Sequence, residues 1–184
     1  MWEEAMLASR IPPKMHCHFR TRRTRKSACA ARTEERGEMF NTILVVCIGN
    51  ICRSPTAEVL LKHRLQENGK EIAVHSAGLG ALTGKDIEPT ARKILVEKGI
   101  VPPLHSAKQI DTDMIVQADL VLAMEQAHVQ HLNEIAPHAR GKTFLLGKWL
   151  DNKEIPDPYR QQKQAFDHAY KLIDQSIATW LKYL

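Results

Sequence analysis

The sequence predicts an α/β domain built on a four-stranded parallel sheet with helices on both faces. Three observations carry that expectation. From residue 42 onward, short apolar runs alternate with stretches whose apolar residues recur at three- and four-residue steps. Strands that alternate with helices pair in parallel through right-handed crossovers, which place helices on both sides of the sheet. The chain has 184 residues, enough for one domain, or for one domain with a tail.

The elements follow in order. Residues 43–46 (Ile-Leu-Val-Val) read as a buried strand. Residues 55–68 read as a helix, with Ala57, Leu60, Leu61 and Leu65 on its apolar face and Ser54 and Pro55 as its N-cap and first helical residue. A second strand is expected over 72–75. A helix over 89–98 closes at Gly99, the usual position for a glycine just past a helix end. An irregular stretch over 105–110 precedes a helical turn around Met114. Residues 120–123 form the third strand, 126–135 a helix and 143–146 the fourth strand. The last helix, 164–184, repeats Phe166, Ala169, Tyr170, Ile173, Ile177, Trp180, Leu181 and Leu184 at helical spacing. The expected architecture is a flavodoxin- or Rossmann-like three-layer sandwich, with its site at the carboxyl ends of the strands.

Charge divides the chain. Residues 1–38 hold nine Lys/Arg against five Glu, so most of the net +5 lies there. They lack hydrophobic periodicity, and a disordered basic leader or upstream extension is expected, with the domain itself over 39–184. The body is close to neutral and aromatics are only 5%, which argues against a nucleic-acid partner. No apolar run approaches the ~20 residues that span a bilayer, so membrane insertion is not expected. Of the four cysteines, Cys17 and Cys29 lie in the leader and Cys47 and Cys52 lie five residues apart. That spacing suits a reducing cytoplasm and reactive chemistry better than a disulfide scaffold.

The first strand runs directly into Cys47-Ile48-Gly49-Asn50-Ile51-Cys52-Arg53-Ser54-Pro55. A loop entering a helix N-terminus gathers free backbone N–H groups and the positive end of the helix dipole at one spot. Gly49 is expected to let the chain curl so that successive N–H groups form an anion nest. Cys47 lies at the mouth of that cradle, where the field that holds phosphate also favours a thiolate. Arg53 can fold back and grip two oxygens of a transferring phosphoryl group with its planar fork. Attack by a thiolate leaves an alkoxide or phenoxide that needs a proton. Asp157, held between Pro156 and Pro158 after the fourth strand, is the candidate general acid. The same carboxyl can deprotonate the water of a second, hydrolytic step.

The Cys47–Ser54 loop together with Asp157-Pro158-Tyr159 resembles the low-molecular-weight protein tyrosine phosphatases, over about residues 40–184. Ser76-Ala77-Gly78-Leu79-Gly80-Ala81-Leu82 and Pro156-Asp157-Pro158-Tyr159-Arg160 resemble most the bacterial branch associated with capsule and exopolysaccharide export. The resemblance implies hydrolysis of phosphotyrosine through a phosphocysteine, with no metal and no cofactor. It implies a tyrosine-phosphorylated partner in the cytoplasm, the tail of a membrane tyrosine autokinase. By the same resemblance, Cys47, Arg53 and Asp157 are catalytic. Ile48, Gly49, Asn50, Ile51, Cys52 and Ser54 bind phosphate, with Asn50 shaping the loop and Ser54 hydrogen-bonding the thiolate. Ile51, Leu82 and Tyr159 wall the phosphotyrosine ring. Cys52 is either a redox shield for Cys47 or a small buried side chain, and His105 is a candidate partner of Asn50. Arg160 stands where eukaryotic members carry a second aromatic, which favours an acidic or differently shaped partner.

Other signals carry less. Gly141-Lys142-Thr143 lacks the earlier glycine and the following helix of a nucleotide-binding loop. His128 and His131 share a helix face but lack a third ligand, so a solvated face is expected rather than zinc. An arsenate reductase of the same fold needs further cysteines downstream, and none follows Cys52. A non-catalytic phosphate-binding module needs neither the thiol nor the acid.

Overall fold

The computed structural model describes residues 40–184. The expected leader lies outside the described residues. The strands are β1 (Thr42–Cys47), β2 (Ala73–Gly78), β3 (Leu120–Ala123) and β4 (Thr143–Leu145). The helices are α1 (Arg53–Glu67), α2 (Pro89–Glu97), α3 (Thr112–Gln117), α4 (Gln126–Ile135) and α5 (Lys163–Trp180), and a 3-10 segment, Pro137–Lys142, leads into β4. All pairings are parallel and the order is β2-β1-β3-β4. The three-layer α/β sandwich expected from the sequence is therefore the fold.

Side-chain alternation along β1 divides the core. Ile43 and Val45 point into a cluster with Leu60, Leu61, Ile94, Ile173 and Ile177 of α1, α2 and α5. Leu44 and Val46 point into a second cluster with Ile115 and Leu132 of α3 and α4. Every residue from Ile43 to Cys47 is buried, which is why the strand reads as a continuous apolar run. The chain leaves β1 toward β2 on one side and returns to β3 on the other. The carboxyl end of β1 is thus the crevice where a parallel sheet places its site.

Several boundaries differ from expectation by one to four residues, and the bonds at four of them are these. Strand β2 continues to Gly78, because buried Ser76 hydrogen-bonds within the protein rather than turning the chain. Helix α1 begins at Arg53, with Cys52 as its cap and no side-chain cap bond, because the Ser54 hydroxyl is used elsewhere. Helix α5 ends at Trp180, whose indole N–H donates to the Leu146 carbonyl at 2.7 Å. Leu181 and Leu184 still pack against the core beyond it. Strand β4 stops at Leu145, one residue short, although Leu146 N still bonds the Ala123 carbonyl. At α2 the expected closure holds, with Gly99 at φ +81 past the Lys98 cap. Among the described residues no helix is long and apolar enough to cross a membrane.

Candidate active site

The loop after β1 is held by its carbonyls. The Cys47, Ile48, Gly49 and Ile51 carbonyls accept from the backbone N–H groups of Leu79, Gly80, Leu82 and Glu88, at 2.9, 3.0, 3.0 and 2.8 Å. The Asn50 carbonyl accepts from His105 Nε2 at 2.8 Å. The Cys52 carbonyl accepts from Thr56 N at 3.2 Å and Thr56 Oγ1 at 2.7 Å. In a trans peptide the N–H points opposite to the C=O. With six successive carbonyls turned outward, the N–H groups of the same peptides turn inward. Asn50 N shows that direction, lying 3.3 Å from Cys47 Sγ. Among the described residues the N–H groups of Ile48, Gly49, Ile51 and Cys52 have no protein acceptor, as a cradle for an anion requires.

The left-handed residue of the loop is Asn50, at φ +53, rather than Gly49. A Cβ on Gly49 would meet only Ile51 Cγ1, at 3.5 Å, so the curl does not depend on that glycine. The asparagine conformation is secured by its side chain, which is fully buried. Oδ1 accepts from Lys108 N at 2.8 Å, which fixes the amide orientation. Nδ2 therefore donates to Ser54 Oγ and Ser76 Oγ, each at 2.9 Å. Ser76 in turn donates to Glu58 Oε2 at 2.6 Å. Ser54 Oγ, which accepts from Asn50, lies 2.9 Å from Cys47 Sγ and 3.5 Å from the Ala77 carbonyl, so the sulfur is the nearer acceptor for its one proton. The serine expected to cap α1 is thus the group that solvates the sulfur. Gly78 makes room for this arrangement, since a Cβ there would lie 2.3 Å from the Ile48 carbonyl oxygen.

Arg53 is the first residue of α1 and its side chain is 1% exposed. Burial of a guanidinium needs matched partners. Nη1 donates to Glu125 Oε1 and to the Ile155 carbonyl, the latter at 2.8 Å, and Nη2 donates to Asp157 Oδ2 at 2.7 Å. Three of the five N–H donors of the group are used, leaving one on Nε and one on Nη2. These form the edge that can take two anion oxygens. Asp157 is partly exposed, and its Oδ1 accepts from Tyr159 N at 3.1 Å in an Asx turn. Ile155 N bonds the Met124 carbonyl at 2.9 Å, which ties the acid's loop to the end of β3.

The structure thus brings Cys47, Asn50 and Ser54 into one network and bonds Arg53 to Asp157. Ile51, Leu82 and Tyr159 line one open pocket, and Ile48 lines a neighbouring one with Arg53 and Asp157. Arg160, at φ +63, lies over the Tyr159 ring, 5.3 Å from its centroid. Cys52 contributes its backbone to the loop, while its side chain joins Ile94 and Phe166 around an internal apolar pocket. Burial raises the Cys52 thiol above its ordinary value, and the charges of Asp157 and Glu88 raise it further. Cys47 and Cys52 are both free thiols. His128 is buried rather than solvated, and burial lowers its pKa.

Sequence reasoning missed Glu125. The signal available was its place, directly after β3 at the sheet edge that carries Cys47, where a buried arginine needs an acid. It also missed the close approach at Gly78, the Ser76–Glu58 support and the 3-10 segment.

A loop with N–H groups lacking protein acceptors, curled around a free thiol with an arginine fork bonded to a carboxyl, defines a cysteine-dependent phosphatase site. Comparison with known proteins agrees. A model of the low molecular weight phosphotyrosine protein phosphatase family matches residues 42–184. The low molecular weight protein-tyrosine-phosphatase Wzb of Escherichia coli K12 is 47% identical over 146 residues, covering 79% of this chain and 97% of that protein. The probable low molecular weight protein-tyrosine-phosphatase AmsI of Erwinia amylovora is 44% identical, covering 79% and 99%. The structure of Vibrio vulnificus Wzb in complex with benzylphosphonate superposes with a TM-score of 0.74 at 46% identity, covering 79% and 99%. The chain belongs to the low molecular weight protein-tyrosine-phosphatase family and is a protein-tyrosine phosphatase.

Proposed function

We propose that the chain hydrolyses phosphotyrosine through a phosphocysteine on Cys47, without a metal or cofactor. The observation that carries this reading is Cys47 Sγ lying 2.9 Å from Ser54 Oγ and 3.3 Å from Asn50 N, within a loop whose other N–H groups lack protein acceptors. The phosphotyrosine ring lies between Ile51, Leu82 and Tyr159, and its phosphoryl oxygens take the loop N–H groups and the free edge of Arg53. The Cys47 thiolate attacks phosphorus in line. The P–S bond forms as the bond to the tyrosine oxygen breaks, and Asp157 delivers a proton to that oxygen. In the second step Asp157 takes a proton from water, water attacks phosphorus, and the thiolate leaves onto the Ser54 hydroxyl. Fixed N–H donors aimed where charge develops supply most of the stabilisation.

The physiological substrate in this reading is the tyrosine-rich cytoplasmic tail of a membrane tyrosine autokinase that controls capsule or exopolysaccharide export. The segments 76–82 and 156–160 support it. The enzyme acts in the cytoplasm, and catalysis belongs to residues 39–184. The test compares phosphotyrosine and phosphoserine peptides in chelator, with vanadate as inhibitor and with a variant lacking residues 1–38. The expected result is vanadate-sensitive turnover of phosphotyrosine alone, equal in both forms of the chain. Loss of turnover in chelator, or equal turnover of phosphoserine, would overturn the reading.

A further inference from the structure

The pocket that holds Ile51, Leu82 and Tyr159 does not end at the ring. It continues along the exposed face of α2 past Pro89, Lys93 and Val96. These three recur at steps of four and three residues, so they stand in one line on the helix. Val96 is 53% exposed although it is aliphatic. From Pro89 to Val96 the helix rises about 10 Å at ~1.5 Å per residue. An extended polypeptide covers that distance in about three residues.

The charges of this groove do not cancel. Asp86 is held by Arg92 Nη2 at 2.6 and 2.8 Å and accepts the N–H groups of Ile87 and His105. Glu88 caps α2, accepting from Thr90 N at 2.7 Å and Ala91 N at 3.0 Å, so its charge lies against the positive end of the helix. Glu97, beside Val96, is bonded by Lys163 Nζ at 2.9 and 3.0 Å. Among the described residues, Lys85 and Lys93 have no carboxylate in ion-pair contact. What the groove offers a ligand is an apolar floor and two unpaired ammonium groups.

We infer that this groove is a subsite for the polypeptide that flanks the phosphotyrosine, and that it selects an acidic side chain beside the phosphotyrosine and an apolar one about three residues from it. The inference rests on the phosphotyrosine reading above and names the substrate class of the same site. Acidic residues meet Lys85 and Lys93, and the apolar residue covers Val96 at the far end of the line. Exposed ion pairs contribute little each, so selection appears in kcat/KM between peptides rather than in catalysis itself.

The test uses the full chain and matched phosphotyrosine peptides. One set carries Glu and Leu at the flanking positions, on either side of the phosphotyrosine, and the other carries Lys and Ser. p-Nitrophenyl phosphate, too small to reach α2, reports basal chemistry. The wild type is expected to favour the Glu/Leu peptide by about tenfold in kcat/KM, less at high salt. Lys93→Glu is expected to erase or invert that preference while p-nitrophenyl phosphate turnover stays unchanged. Lys85→Glu, in an exposed loop, gives an independent second reading. Equal kcat/KM across the peptides, or a preference that survives both substitutions, overturns the subsite while leaving phosphotyrosine hydrolysis intact. Absence of turnover with every peptide and with p-nitrophenyl phosphate overturns the phosphotyrosine reading and the subsite together.

Discussion

Ser54 shows how one side chain can be assigned a role by accounting for protons. Its oxygen accepts from Asn50 Nδ2, whose orientation is set by the Lys108 N–H, so its own proton has Cys47 Sγ as its close acceptor. A hydrogen bond to a charged group contributes about 1.5–3 kcal/mol, so Ser54→Ala is expected to lower kcat by about 10- to 100-fold. Steady-state kinetics on an activated aryl phosphate check this, because the leaving phenol then needs no proton and the effect isolates the sulfur. A kcat near wild type would remove Ser54 from the account. That the Cys47 loop, Arg53 and Asp157 gather at one sheet edge was legible in the sequence, because the Cys47 loop follows β1 and the Asp157 loop comes after β4 in a parallel sheet. Local pattern alone reads Ser54 as a cap, because Ser-Pro at a helix start is the commoner use; its bond to the sulfur was expected only from the family resemblance, and the structure has that bond. Glu125 was not legible, because a charge that serves only to hold another buried charge leaves no periodicity.

At the scale of elements, the site depends on the meeting of the β1 loop with the end of β2. Cys47 pairs in register with Gly78, and the backbone after Gly78 takes three of the loop's carbonyls. A methyl at Gly78 would sit 2.3 Å from the Ile48 oxygen and 3.0 Å from Asn50 Cβ, so backbone must move. Gly78→Ala is expected to cost about 2–3 kcal/mol in stability. A displacement of the loop by a fraction of an ångström to an ångström lowers kcat/KM by about 100-fold. A denaturant midpoint and kinetics on the same sample check both, and wild-type values for either would show that the strand end has slack. The sequence made β1, β3, α2 and α4 legible because their apolar residues have the right period. It shortened β2, since the apolar run breaks at Ser76 and Gly78, whose partners lie far away in the sequence. It lengthened α5, since the apolar spacing of Leu181 and Leu184 persists past the last helical turn.

At the scale of the whole molecule, two buried groups set opposite limits on stability against pH. His128 is a base whose folded pKa is lowered by burial from its ordinary 6.5. Below that value the unfolded chain takes up a proton that the folded chain resists, so stability falls as pH drops through 6.5. Cys52 is an acid whose folded pKa is raised by burial above its ordinary 9.0. Above 9.0 the unfolded chain releases a proton that the folded chain keeps, so stability falls as pH rises. Each limb has a slope of at most about 1.4 kcal/mol per pH unit. Chemical denaturation across pH is expected to give a plateau between the two limbs, and Cys52→Ala is expected to flatten the alkaline one alone. An alkaline limb unchanged in that variant would show that another group carries it. The fold class was legible at this scale because the alternation of strand and helix leaves a parallel sheet few topologies. The pairing of charges across the β3 and β4 loops was not, because sequence distance hides it.

The central claim is that Cys47 carries the phosphoryl group between two steps that share Asp157. Its most direct test is acid-quenched mass spectrometry of Asp157→Ala during turnover of an activated aryl phosphate. That substrate needs no acid in the first step, while the second step lacks its base. The account predicts a phosphoryl group accumulating on Cys47 alone, and none in Cys47→Ser. Full turnover with no phosphorylated enzyme, or phosphate on another residue, would contradict it.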